Sequence, residues 1–280
     1  MDKLRDNLKI IIGAAVAITV VIVLFVVLGR DKDLSSVTSA EIKTGRDYLA
    51  SLEAGKVSDV ENILKEQRNA ELRAKSQEKI DALDDENTDI WSLFEDYVLL
   101  GDSRAVGFWY YGFLPKERAI SEAGATIRFL KEHEPDIYAL NPSSIFCCFG
   151  LNDVSIGLWP TPEDYKAEYT ETLKEIQKQL PDATIYVSSI LPAKDPAFNK
   201  SEKWRNIPQY SEACKEMCEE NGFVYIDNSE ICEKYTDLWD IDGIHVQKPF
   251  YNYWGKNMIL ATYQHVLDQQ LEATNTDADE

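Results

Sequence analysis

The chain has 280 residues, 44% of them hydrophobic, and a net charge of −20 at pH 7. That length and apolar content allow one large domain with appendages. The acidity argues against nucleic acid, which needs a basic footprint, and against a surface that hugs anionic lipid. It suits a neutral or cationic substrate better than an anionic polymer.

Residues 1–9, with Lys3, Arg5 and Lys9, precede an apolar run at 10–29 in which Thr19 is the only polar side chain. Twenty helical residues span about 30 Å, the thickness of a bilayer core. The run is too long for an ordinary signal-peptide core, and Gly29-Arg30-Asp31-Lys32 makes a poor cleavage site. The expectation is an uncleaved transmembrane signal anchor with a cytoplasmic N-terminus and an external C-terminal domain. Residues 30–95 are polar and charged and read as a helical stalk. One helix is expected over Ser39 to Ala54. A second is expected from Ser58-Asp59-Val60-Glu61, a capping-box pattern, to about Leu83. A largely disordered spacer is the alternative.

From Tyr97 onward, short apolar runs alternate with amphipathic helices. Strands are expected at Tyr97 to Leu100, Arg118 to Ser121, Ser144 to Phe149, Thr184 to Ser188 and Phe223 to Ile226. Helices are expected at Arg104 to Tyr111, Ile127 to His133, after Thr161-Pro162, at Pro208 to Asn221 and at Pro249 to Leu267. Tyr165, Tyr169, Leu173, Ile176 and Leu180 form the apolar stripe of the third helix. The alternation predicts an α/β domain over 96–270, a five-stranded parallel sheet with helices on both faces. Residues 271–280 read as an acidic solvated tail.

In such a sheet, functional residues collect at the carboxyl ends of strands. Gly101-Asp102-Ser103 follows the first expected strand, Gly124 the second, and Gly150-Leu151-Asn152-Asp153 the third. Ser103 is a nucleophile candidate, but a serine hydroxyl needs a base to take its proton. There are three histidines. His133 lies among charges and reads as surface, and His265 lies in the last helix and reads as packing or surface. His245 follows Asp242 by three residues in a loop, a spacing that lets the carboxylate orient the imidazole. The backbone N–H groups of Ser103 and Gly124 and the side chain of Asn152 are candidate oxyanion donors. Taken singly, Gly-Asp-Ser and Gly-x-Asn-Asp are ordinary turns; their joint order carries the signal.

The five cysteines, Cys147, Cys148, Cys214, Cys218 and Cys232, are an odd number rather than a disulfide framework. Cys147 and Cys148 are expected as buried thiols. Cys214 and Cys218 make a poor zinc site, and a bridge from Cys232 to either stays open. No residue pattern calls for a metal or an organic cofactor.

The order Gly-Asp-Ser, Gly, Gly-x-Asn-Asp and Asp-x-x-His resembles the SGNH family of GDSL-type esterases and lipases, over about Tyr97 to Leu267. The resemblance implies a three-layer α/β/α fold, flavodoxin-like in its sheet. It implies Ser103 as nucleophile, His245 as base, Asp242 as its partner and Ser103, Gly124 and Asn152 as the oxyanion hole. Gly107 matches a glycine of the family's first block. Asp102 and Asp153 are expected to brace loops. Arg104, at a variable position, is expected to hold a loop carboxylate or to contact substrate. Core packing is the plainer reading for any one of the aromatics near these loops; Trp159, in Gly157-Leu158-Trp159-Pro160, is the one among them best placed for a substrate contact.

The function expected is a bacterial, membrane-anchored, extracytoplasmic serine esterase acting on an acylated small molecule or carbohydrate. An O-acyltransferase using the same site and a silent carbohydrate-binding module are the alternatives. The oligomeric state is not legible.

Overall fold

The computed structural model describes residues 39–276. The expected cytoplasmic segment 1–9 and anchor 10–29 lie outside the described residues. Among the described residues, no helix is long and apolar enough to cross a membrane. Contacts divide the chain into Met1–Leu64 and Lys65–Glu280.

α1 runs over Ser39–Ala82. The two helices expected here are one. Gly55 and Ser58 cost a helix interior only about 1 kcal/mol or less each, too little to stop it, and the capping-box pattern opens no second helix. From Leu83 on, the segment read as stalk joins the domain. Leu83 and Phe94 are buried in its core, and the Trp91 ring stacks on Phe113 with centroids 4.4 Å apart.

The domain follows in the order β1 (Tyr97–Gly101), α2 (Val106–Tyr110), β2 (Ala119–Ser121), α3 (Arg128–Glu132), α4 (Glu134–Leu140), β3 (Ser144–Cys148), α5 (Leu151–Ile156), α6 (Pro162–Gln179), β4 (Thr184–Ser188), α7 (Ile207–Asn221), β5 (Val224–Ile226), α8 (Ser229–Lys234) and α9 (Lys248–Thr276). All five expected strands are present. The sheet is parallel throughout, in the order β2-β1-β3-β4-β5. α4, α5 and α8 were not anticipated. Each is six or seven residues long, too short to show a helical period.

Alternate strand residues face opposite layers. Val98, Leu100, Ile145, Cys147, Ile185 and Val187 pack with Ile127, Tyr165, Tyr169, Leu173 and Ile176 on one side. Leu99, Phe146, Cys148, Tyr186 and Ile226 pack with Phe108, Phe250, Trp254 and Met258 on the other. The result is three layers, α/β/α. Thr161 and Asp164 close a reciprocal capping box at the start of α6, with Pro162 in its first turn. All five cysteines are free and buried. α9 continues helically through residues read as a tail, ending at Thr276. There Thr274 Oγ1 donates to Asn69 Oδ1 at 2.8 Å. Residues 277–280 lie outside the described residues.

Strand order reverses at β1, which has β2 on one side and β3 on the other. A crevice therefore opens beyond the carboxyl ends of β1 and β3. Ser103 follows one of these ends and Asn152 the other.

Candidate active site

The chain leaves β1 through a tight turn. The Asp102 N–H bonds Cys148 O at 3.1 Å, and the Ala105 N–H returns to Asp102 O at 2.9 Å. Gly101 permits the approach, because a Cβ there would stand 2.6 Å from Cys148 O. Ser103 sits in this turn, partly exposed.

The Asp242 turn is equally specific. Asp242 Oδ1 accepts the N–H of Ile244 at 2.8 Å and of His245 at 3.0 Å, an Asx turn built by the residue's own carboxylate. Oδ2 is thereby aimed at His245 Nδ1, 2.7 Å away. His245 Nε2 lies 3.1 Å from Ser103 Oγ. Burial alone would raise the Asp242 carboxyl. The two N–H donors and the imidazole outweigh it and bring the pKa down to about 2. Asp242 is therefore an anion across the working pH range and fixes the proton of His245 on Nδ1, leaving Nε2 as an acceptor facing the hydroxyl.

Gly150 adopts φ 124°, a conformation only glycine takes readily, and hands the chain from β3 directly into α5. Asn152, expected on a loop, lies in the first turn of α5. Its Nδ2 donates to Ala125 O at 2.9 Å. One amide hydrogen is thus spent tying α5 to the Gly124 loop, and the other is left to give. Gly124 is exposed at φ +87°. The N–H groups of Ser103 and Gly124 have no hydrogen-bond partner among the described residues.

One alternative for Arg104, contact with substrate, and the reading of Trp159 are corrected. Arg104 is 2% exposed. It donates from Nη1 to Leu191 O at 2.5 Å and lies 3.7 Å from Asp102, so it braces loops and does not reach substrate. Trp159 is 3% exposed. Its Nε1 donates to Glu168 Oε2 at 2.7 Å, and its carbonyl accepts the Tyr210 hydroxyl at 2.8 Å. A buried indole N–H takes a hydrogen-bond partner, here Glu168, and Trp159 anchors the segment after α5 to α6 and α7. His133 contacts Asp136 at 2.7 Å, and His265 stands edge-on to Tyr186.

Asp102 braces by its oxygens, which accept the N–H of Arg104 at 3.0 Å and of Leu151 at 3.3 Å. Asp153 accepts the Ile127 N–H at 2.9 Å. Burial drives its pKa up to about 7, against that N–H, with the nearby Asp102 charge adding to the rise. A carboxyl raised in the fold binds a proton there that the unfolded chain has already lost. Stability contributed through Asp153 is therefore greatest near pH 4, falls as pH rises to about 7 and is level beyond. Asp153→Asn should be more stable than the parent at pH 8 by on the order of 2–4 kcal/mol, read as a higher denaturant midpoint, with the gap closing toward pH 4.5. Equal midpoint differences at both pH values would contradict this.

Two supports had no sequence signal. The loop after β4 holds the histidine turn through the Lys194 N–H donated to Gly243 O at 2.8 Å. From α9, the Tyr251 hydroxyl donates to Arg104 O at 2.7 Å. The Tyr251 ring fills the space above Gly107, where any Cβ would overlap it. Gly107→Ala is expected to destabilise the domain by about 1–3 kcal/mol through overpacking and to lower activity by shifting the Ser103 turn. Thermal melts alongside turnover check both.

Residues 99–251 match the model of the GDSL-like Lipase/Acylhydrolase family. Comparison with curated proteins gives no match. Among solved structures, a lipase/acylhydrolase from Enterococcus faecalis is 16% identical with a TM-score of 0.48, covering 61% of this chain and 97% of its own. An acetyl xylan esterase, AlAXEase, is 18% identical with a TM-score of 0.47, covering 58% and 97%. An acetylxylan esterase from Geobacillus stearothermophilus is 20% identical with a TM-score of 0.40, covering 62% and 94%. With its family match spanning more than half its length, the chain belongs to the GDSL-like lipase/acylhydrolase family and is a hydrolase of carboxylic esters.

Proposed function

We propose that this protein is an extracytoplasmic serine esterase, held at the membrane by residues 10–29, that removes short acyl groups from carbohydrate by an acyl-enzyme mechanism. The observation that carries the mechanism is the continuous relay from Asp242 Oδ2 through His245 to Ser103 Oγ, at 2.7 and 3.1 Å. In the first step His245 Nε2 takes the hydroxyl proton as Oγ attacks the ester carbon. The tetrahedral oxyanion is held by the N–H groups of Ser103 and Gly124 and by Asn152 Nδ2. His245 then gives the proton to the departing alcohol. Water, deprotonated by the same Nε2, releases the acid and restores Ser103.

The short acyl group is supported by how open the relay is, with the His245 side chain 41% exposed. Cavities of about 480 Å³ open beside Trp109 and Ile120 and beside Leu72 and Ile259, and neither includes Ser103 or His245. A relay this open also suits an acyl group carried on a polymer, which approaches without being threaded. The apolar run at 10–29 supports the location, and the net charge of −20 supports a neutral glycan over an anionic one.

The test is release of acetate from acetylated glycans and of nitrophenol from esters of rising chain length. A rate that falls steeply beyond butyrate supports the reading. A preference for long chains, or an acylated sugar in place of free acid, contradicts it. A reporter fused after residue 30 checks the location, and a cytoplasmic signal there ends the extracytoplasmic reading.

A further inference from the structure

We infer that Arg104 is a positioning residue for catalysis, its side chain tying the Ser103 turn to the loop after β4 and balancing the buried Asp102 carboxylate next to it. The inference rests on the serine-esterase reading above.

Asp102 and Arg104 flank the nucleophile in sequence and are 1% and 2% exposed. Asp102 joins two loops, because one oxygen takes the Arg104 N–H and the other the Leu151 N–H. Leu151 immediately precedes Asn152 at the start of α5. Arg104 joins two more. Its Nη1 donates to Leu191 O after β4, and its carbonyl accepts the Tyr251 hydroxyl from α9. Four segments therefore meet on the two residues either side of Ser103.

Burying a charge pair is costly, and an apolar pair of similar volume often gives a more stable protein. The geometry is also unlike that of a stability device. Arg104 Nε stands 3.7 Å from Asp102 Oδ1 and makes no hydrogen bond. What the guanidinium supplies is position and charge. A negative tetrahedral intermediate forms at Ser103, the residue next to the buried Asp102. Without a cation next to it, that carboxylate would oppose the developing oxyanion. Lysine keeps the charge on a single point but loses the planar fork. Methionine fills similar space and keeps neither.

The test compares the full-length wild-type enzyme with Ser103→Ala, Arg104→Met and Arg104→Lys. Melting temperature, kcat and KM for nitrophenyl acetate, and the rate of labelling by a fluorophosphonate are measured. Turnover by the wild type that is lost in Ser103→Ala establishes the underlying reading independently of Arg104. Arg104→Met is then expected to lower kcat and the labelling rate by about 10- to 100-fold, with KM within about threefold, and Arg104→Lys to fall between. If the methionine variant does not fold, the lysine variant carries the test, with kcat reduced per folded molecule. The inference is overturned if both variants keep wild-type kcat per folded molecule, or if KM rises while kcat holds, since that places Arg104 at the substrate.

Discussion

Replacing Ser103 by alanine is expected to lower kcat for short acyl esters by on the order of 10⁵- to 10⁶-fold, with the melting temperature unchanged. The loss is large because, in the proposed mechanism, the hydroxyl oxygen is the atom that bonds the acyl group. The N–H groups at positions 103 and 124 stay in place, so the alanine variant keeps the proposed oxyanion hole and its residual rate over water. The side chain is partly exposed and its one hydrogen bond among the described residues is to His245 Nε2 at 3.1 Å, so truncation opens no core cavity. Steady-state rates and a thermal melt on the same sample decide it; an equal loss of stability and activity would point to a structural serine.

Asp242→Asn is expected to cost about 10⁴-fold in kcat, for a reason specific to this turn. Oδ1 accepts two backbone N–H groups, from Ile244 and His245. The amide oxygen of asparagine must take that place. Its NH₂ then replaces Oδ2 and donates to His245 Nδ1. The imidazole is driven to the tautomer that carries its proton on Nε2, facing Ser103 as a donor, and it no longer accepts the hydroxyl proton. The turn itself survives, so KM should move little. A fall of less than tenfold would show that the carboxylate does not set the tautomer.

The strands were legible because each is a short apolar run bounded by Gly, Pro or charge, and all five lie within a residue or two of the expected limits. The Ser103, His245 and Asp242 relay was legible because it is carried by motifs. Asp242 and His245 are three residues apart, and strand ends converge by topology. What escaped was chemistry decided by long-range packing. Arg104 and Trp159 have polar atoms and stand beside the site in sequence, which suggests contact with substrate for Trp159 and leaves it open beside loop bracing for Arg104. In the fold both are drawn inward, because Leu191 O and Glu168 offer them partners that sequence does not reveal. The merging of two expected helices into α1 is the opposite case, in which local stop signals were too weak to act. Asn152 was placed at the right strand end but not in its element, since α5 is too short to have a period.

The central claim is a covalent intermediate on Ser103. Full-length enzyme mixed with nitrophenyl acetate, quenched in acid within the first turnover and digested for mass spectrometry, tests it directly. The account predicts one acetyl group on the peptide that contains Gly101-Asp102-Ser103, absent from Ser103→Ala and persisting longer in Asp242→Asn, where deacylation is slow. Turnover without any adduct at Ser103, or an acetyl group located on another side chain, would contradict it.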